Sequence, residues 1–181
     1  MIATASESDC SRCFGLDVDF THLPSRADAQ AFVANSLHRF RPDWTALAPH
    51  LKFDRDRYAR NLLYRDEHVE VLLLCWLPGQ KTPVHDHGAS WGVSAALNGD
   101  LFETSYRVVR DGAPLQLVES RLMHPGAVSF ESGDTVHEVG NASSSPIVSL
   151  HIYGPPLARF TAYDPMSGER RVIGPALASA P

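Results

Sequence analysis

The stretch Gly79-Gln80-Lys81-Thr82-Pro83-Val84-His85-Asp86-His87 is answered further along by Gly133-Asp134-Thr135-Val136-His137-Glu138-Val139-Gly140-Asn141. Side chains alternate between the faces of a β-strand, so a strand here would put His85 and His87 on one face and Asp86 on the other. A third imidazole from His137, on a distant strand, would close one side of a metal ion and leave the other side open for chemistry.

Working outward, the segments 59–65, 69–77, 82–86, 91–98, 101–109, 115–122, 127–131, 135–139 and 146–153 are short and rich in β-branched or apolar residues. They are separated by Gly, Pro, Asn and Asp. Asn98-Gly99 reads as a tight turn between two of them and Asp111-Gly112 as a turn between two more. Many short antiparallel strands predict an all-β jelly-roll barrel, over residues 58–163, because closure removes exposed sheet edges.

Upstream, Ser25 and Asp28 resemble a helix start, and Ala29, Phe32, Val33, Ser36, Leu37 and Phe40 recur at helical spacing. That helix should end before Pro42, and a second short helix is expected from Asp43, its cap, to about Leu51. Together these make a helical N-terminal segment over 23–51, preceded by a polar tail over 1–22. The stretch after Gly154 is Pro- and Ala-rich and is expected to wrap the outside or fray, with 164–181 as a C-terminal tail.

Composition narrows the function. At 181 residues and 44% hydrophobic, the chain is long enough for one domain with a real core and too short for two comfortable ones. A net charge of −5 without any basic run argues against a nucleic-acid partner. The apolar run Val71 to Leu77 is far too short for a membrane span, and the first residues carry no basic, long apolar leader, so a cytoplasmic protein without a membrane partner is expected. The three cysteines, Cys10, Cys13 and Cys75, are read as reduced: Cys10 and Cys13 lack a second ligand pair for zinc, and Cys75 sits inside the apolar run.

Most of the nine histidines need no special role: His22, His38, His50, His68 and His124 fall in expected loops or solvated faces. Imidazole suits zinc, copper, iron and nickel alike, so His85, His87 and His137 do not choose a metal. A zinc hydrolase would want a nearby general base, and Glu138 faces away from His137 on a strand. An octahedral iron would keep three positions free, and without a carboxylate ligand the site keeps a double positive charge that favours a thiolate.

Gly79-x5-His85-x-His87-x4-Gly92-x6-Gly99, followed by Gly133-x3-His137-x3-Asn141, is similar to the two signature motifs of the cupin superfamily. The resemblance implies a double-stranded β-helix. Where many cupins carry a metal-binding glutamate, this chain has Trp91 or Gly92. That absence, with Tyr58-Ala59-Arg60-Asn61-Leu62, Leu74-Cys75-Trp76 and Ser149-Leu150-His151-Ile152-Tyr153-Gly154-Pro155-Pro156, resembles the cysteine dioxygenase family across roughly residues 45 to 165.

The resemblance implies ferrous iron on His85, His87 and His137, with L-cysteine bound through thiolate and amine beside dioxygen. It assigns Arg60 to the substrate carboxylate, with Tyr58 beside it; composition alone would read Arg60 as one surface arginine in Arg55-Asp56-Arg57-Tyr58-Ala59-Arg60. Ser149, His151 and Tyr153 share a strand face and can form a relay, in which the family pattern gives the tyrosine hydroxyl to the iron-bound ligands. Trp91 is expected to wall the pocket, with a core tryptophan as the alternative. Animal members have a cysteine, thioether-linked to the tyrosine, where this chain has Gly92, so Tyr153 is expected to carry no crosslink. Only about 5–6% of X–Pro bonds are cis, yet the family pattern implies cis at Gly154–Pro155.

The reading is therefore an iron(II)-dependent thiol dioxygenase acting on L-cysteine, alone or as a weak homo-oligomer. The nearest alternative is the same chemistry on 3-mercaptopropionate, whose enzymes commonly have glutamine at the position of Arg60. A non-catalytic cupin that binds a metal or metabolite is a second alternative, and a zinc hydrolase a third. A Ser149–His151 hydrolase is a poor reading, since no Gly-x-Ser-x-Gly elbow exposes the serine.

Overall fold

Eleven strands follow a helical start in the computed structural model, which describes Val18 and residues 26–174. Cys10, Cys13, His22, Ser25 and residues 175–181 lie outside the described residues. Helix α1 (Arg26–Arg39) buries Ala29, Val33, Ser36 and Leu37, and Phe32 faces solvent. Helix α2 (Trp44–Leu47) starts at Asp43, whose carboxylate accepts from Thr45 N at 3.0 Å and Ala46 N at 3.1 Å, and a 3-10 turn (Ala48–His50) follows. Asp43 thus satisfies two amide donors that a helix start leaves open.

The strands are β1 (Ala59–Arg65), β2 (Glu70–Trp76), β3 (Val84–His85), β4 (Trp91–Asn98), β5 (Leu101–Arg107) and β6 (Gln116–Met123). They continue as β7 (Val128–Glu131), β8 (Val136–Asn141), β9 (Ile147–Gly154), β10 (Phe160–Tyr163) and β11 (Arg170–Ile173). One sheet runs β1-β2-β9-β4-β7 and the other β11-β10-β3-β8-β5-β6, with every pairing antiparallel. This is the all-β double-stranded β-helix expected from the sequence, with its helices at the N-terminal end.

Strand β2 shows why the apolar run is continuous. Leu72, Leu74 and Trp76 point into the barrel and pack with Leu101, Val139, Ile147 and Tyr153. Val71, Leu73 and Cys75 point outward, into the cluster that also holds Val33, Ala34 and Leu37 of α1 and Leu47 of α2. A strand buried on both faces loses the polar–apolar alternation of a half-exposed one.

Two expectations need correction. Strand β3 is two residues long rather than 82–86, since Pro83 has no N–H to give a ladder; His87 lies past its end, with its own N–H on Gly133 O at 3.3 Å. The expected Asn98-Gly99 turn is present between β4 and β5, with Gly99 at φ 67°, and it carries the chain from one sheet to the other. The stretch after Gly154 does not fray up to Gly174: β10 pairs with β3 and buries Phe160 and Ala162, and β11 extends that sheet beyond residue 163.

Candidate metal centre

His85 is the register partner of His137 across β3 and β8, which puts two imidazoles side by side in the barrel. His87 reaches the same place from the turn after β3. One nitrogen from each of the three rings lies within 4.8 Å of the other two, and all three side chains are buried. The ring centroids are 4.9–5.1 Å apart.

On two of these rings the hydrogen is set from behind. His85 Nδ1 donates to Pro83 O at 3.0 Å, and His137 Nδ1 donates to Glu103 Oε1 at 2.8 Å, leaving both Nε2 lone pairs for the centre. His137 Nε2 and His87 Nε2 stand 3.3 Å apart. Burial first, then the neighbouring His137, pulls the His85 pKa down to about 3, and burial holds His87 well below its ordinary value. Neutral imidazoles are the form that binds metals. Lone pairs crowded on one point, with the hydrogens of His85 and His137 fixed on the far sides, fit a cation.

The turn that carries these histidines is fastened by Asp86, which does face the other way. Its Oδ1 accepts from Thr161 N at 2.8 Å and from Gly88 N at 3.1 Å, and its Oδ2 accepts from the Tyr163 hydroxyl at 2.8 Å. Glu138 also faces outward, to Lys81 Nζ at 2.8 Å and the Tyr106 hydroxyl at 3.1 Å.

Ser149, His151 and Tyr153 line one face of β9. Trp76 Nε1 can only donate, and it donates to Ser149 Oγ at 2.9 Å. The 2.9 Å bond between Ser149 Oγ and His151 Nε2 is then assigned with the serine donating, the direction that gives the buried hydroxyl hydrogen an acceptor. Neutral His151 therefore carries its hydrogen on Nδ1, 3.3 Å from the Tyr153 hydroxyl oxygen. Burial, and then the Arg60 charge, lowers the His151 pKa to about 3, which keeps it neutral. The Tyr153 O–H is left free to meet a ligand, with its ring centroid 5.3 Å from that of His87. Its pKa is pushed up by burial.

Arg60 is not the surface residue that composition suggested. It is 8% exposed, its guanidinium carbon is 5.9 Å from the Tyr153 ring centroid, and its Nε is buried without a hydrogen-bond partner. Tyr58, just before β1, stacks on Trp76 at 4.6 Å between centroids. Trp91 is a correction: Gly92, Ser94 and Ala96 share the face of Tyr153, His151 and Ser149, so Trp91 lies on the outer face in the cluster under α1. There its ring covers Gly154, where a Cβ would collide with it. The Gly154–Pro155 bond is cis.

Three buried glutamates were missed: Glu70, Glu103 and Glu131. The signal was parity, since Glu103 alternates with the buried Leu101, and Glu70 with Leu72 and Leu74. Burial alone would raise the Glu103 carboxyl, yet His137 and Arg121 outweigh it and hold the pKa down at about 2. Glu131 goes the other way, to about 7, by burial first and by the Glu103 charge nearby. Its Oε1 accepts from Ser94 at 2.8 Å and its Oε2 has no partner, occupying the space a Cβ on Gly92 would need. Glu103, Glu131 and His137 also offer atoms within 4.8 Å of one another, but Glu103 is taken up by His137, Arg121 and Ser129.

The chain matches the family model for cysteine dioxygenase type I over residues 7–166. It is 29% identical to the Homo sapiens cysteine dioxygenase type 1 over 141 residues, 76% of this chain and 70% of that protein. It is 30% identical to the Rattus norvegicus enzyme of the same name over 135 residues, 72% of this chain and 66% of the relative. A crystal structure from Thermus thermophilus superposes with a TM-score of 0.52 at 26% identity, over 61% of this chain and 94% of that one. A Klebsiella pneumoniae protein with a double-stranded β-helix domain shares the fold, with a TM-score of 0.54 at 14% identity, over 64% of this chain and 87% of its own. No helix among the described residues is long and apolar enough to cross a membrane.

Proposed function

The chain belongs to the cysteine dioxygenase type I family, and from that premise we propose that it is an iron(II)-dependent thiol dioxygenase that converts L-cysteine to cysteine sulfinic acid. The observation that carries the reading is the convergence of His85, His87 and His137 with no carboxylate among them, beside a free tyrosine hydroxyl and a buried arginine. Iron(II) held by the three imidazoles supplies the redox capacity for adding both atoms of dioxygen to a thiol sulfur.

The chain's own residues bind and orient the substrate. Arg60 offers an unpartnered N–H in a dry site, where a charge-assisted bond to a carboxylate is worth about 1.5–3 kcal/mol. Tyr58 and Trp76 form an aromatic wall next to it. The Trp76–Ser149–His151 chain fixes the direction of the Tyr153 hydroxyl, so that its hydrogen stays available to the substrate. With Gly92 facing the Tyr153 ring, no thioether crosslink forms; an intact mass two hydrogens below the sequence mass would refute this.

The decisive experiment is sulfinate production by iron-loaded protein from L-cysteine, 3-mercaptopropionate and cysteamine. Cysteine should be the best substrate, and Arg60→Gln should cut its kcat/KM about tenfold or more while iron loading stays unchanged. Preference for 3-mercaptopropionate would move the reading to that substrate, and no thiol-dependent oxygen uptake would favour a metal- or metabolite-binding cupin.

A further inference from the structure

Glu70 is the one charged side chain in the strand Glu-Val-Leu-Leu-Leu-Cys-Trp, and it is 1% exposed. A carboxylate in such a place must be held by donors, because an unpaired buried charge is costly. Its Oε2 is 3.2 Å from Arg65 Nη2, and its Oε1 accepts from Leu157 N at 3.1 Å. The same Oε1 stands 3.5 Å from Arg60 Nη2.

The way Arg65 arrives is telling. Arg60 pairs with Leu74 and Leu62 with Leu72, so a regular ladder would bring Tyr64 opposite Glu70. A bulge between Leu62 and Tyr64 adds one residue, and Arg65 takes that position instead. Bulges of this kind re-aim a side chain. Glu70 is therefore clamped by Arg65 and by the backbone at Leu157, while its contact with Arg60 is single and long.

That asymmetry separates this pair from a closed structural ion pair. A guanidinium engaged by a carboxylate in the usual way gives it two parallel N–H groups. Here only Nη2 leans on Glu70, and Arg60 Nε keeps its hydrogen in a buried position with no acceptor. The geometry points to Glu70 as a positioning residue that turns the Arg60 fork toward the centre and so makes the site selective for thiols that carry a carboxylate. This rests on the reading of Arg60 given above.

The test keeps the charge and moves it. Glu70→Asp draws the carboxylate back by one methylene, and Arg65→Gln loosens the clamp while keeping a neutral donor at a half-exposed position. Anaerobic titrations of the iron-loaded full chain with L-cysteine and with cysteamine, which has no carboxylate, are followed by tryptophan fluorescence and paired with steady-state KM and kcat. Either variant should weaken cysteine about tenfold or more, as misplacements on the ångström scale do, and leave cysteamine unchanged. Equal weakening of both thiols would mark a merely structural role and overturn the inference. Unaltered preference for cysteine in both variants would overturn it and leave the proposed function standing. A wild-type chain that binds the two thiols equally would overturn both readings.

Discussion

His85 and His151 are buried bases whose pKa values sit at about 3, against 6.5 for a free imidazole. The unfolded chain takes up protons at these rings below pH 6.5, and the folded, metal-free chain does not until about pH 3. Stability is therefore present above pH 6.5 and is lost on acidification, by up to about 1.4 kcal/mol per pH unit for each histidine. Glu131 acts in the opposite sense between 4.5 and about 7, because its folded form resists ionisation. Denaturant melts of metal-free protein should show lower stability at pH 5 than at pH 7.5, and a steeper loss in Glu131→Gln; equal or higher stability at pH 5 would contradict the assignment. The three ligand candidates were legible because their spacing is distinctive. Glu103 and Glu131 were harder to find, since only parity with neighbouring apolar residues tells a core-facing glutamate in a strand from a solvent-facing one.

Among the elements, β10 shows how a short strand escapes notice. Phe160-Thr161-Ala162-Tyr163 follows a Pro-rich turn and carries only two buried side chains, too few for periodicity to register. Its importance lies in pairing with β3 and in holding Asp86 through Thr161 N and the Tyr163 hydroxyl. Asp86→Ala should cost about 1–3 kcal/mol of stability and weaken metal binding, because the turn bearing His85 and His87 loses its fastening. Chelator competition and thermal melts check both parts, and unchanged metal affinity would show that the turn is rigid without Asp86. The helices were easier, since the Asp43 cap and the spacing of Ala29, Val33 and Leu37 are local signals.

At the scale of the molecule, one sheet serves two interiors. Leu73 packs outward into the cluster that α1 joins, whereas Leu74 lies in the barrel, in register with Arg60 and Ser149. Both Leu73→Ala and Leu74→Ala should destabilise by about 2–5 kcal/mol. Only Leu74→Ala should also raise the KM for cysteine, since the void opens beside Arg60. Equal kinetic effects would mean that the wall between the two clusters transmits strain. The barrel was readable from its turns and short apolar runs, but which sheet each strand joins depends on pairing across long sequence separations, and no local pattern encodes it.

The pairing of β10 with β3 also has a consequence for biosynthesis. His85 and His87 leave the ribosome well before Thr161 and Tyr163, which steady the turn that carries them. A nascent chain still short of Tyr163 carries all three imidazoles without the frame that aligns two of them. Tight metal loading is therefore expected only once Tyr163 has been made.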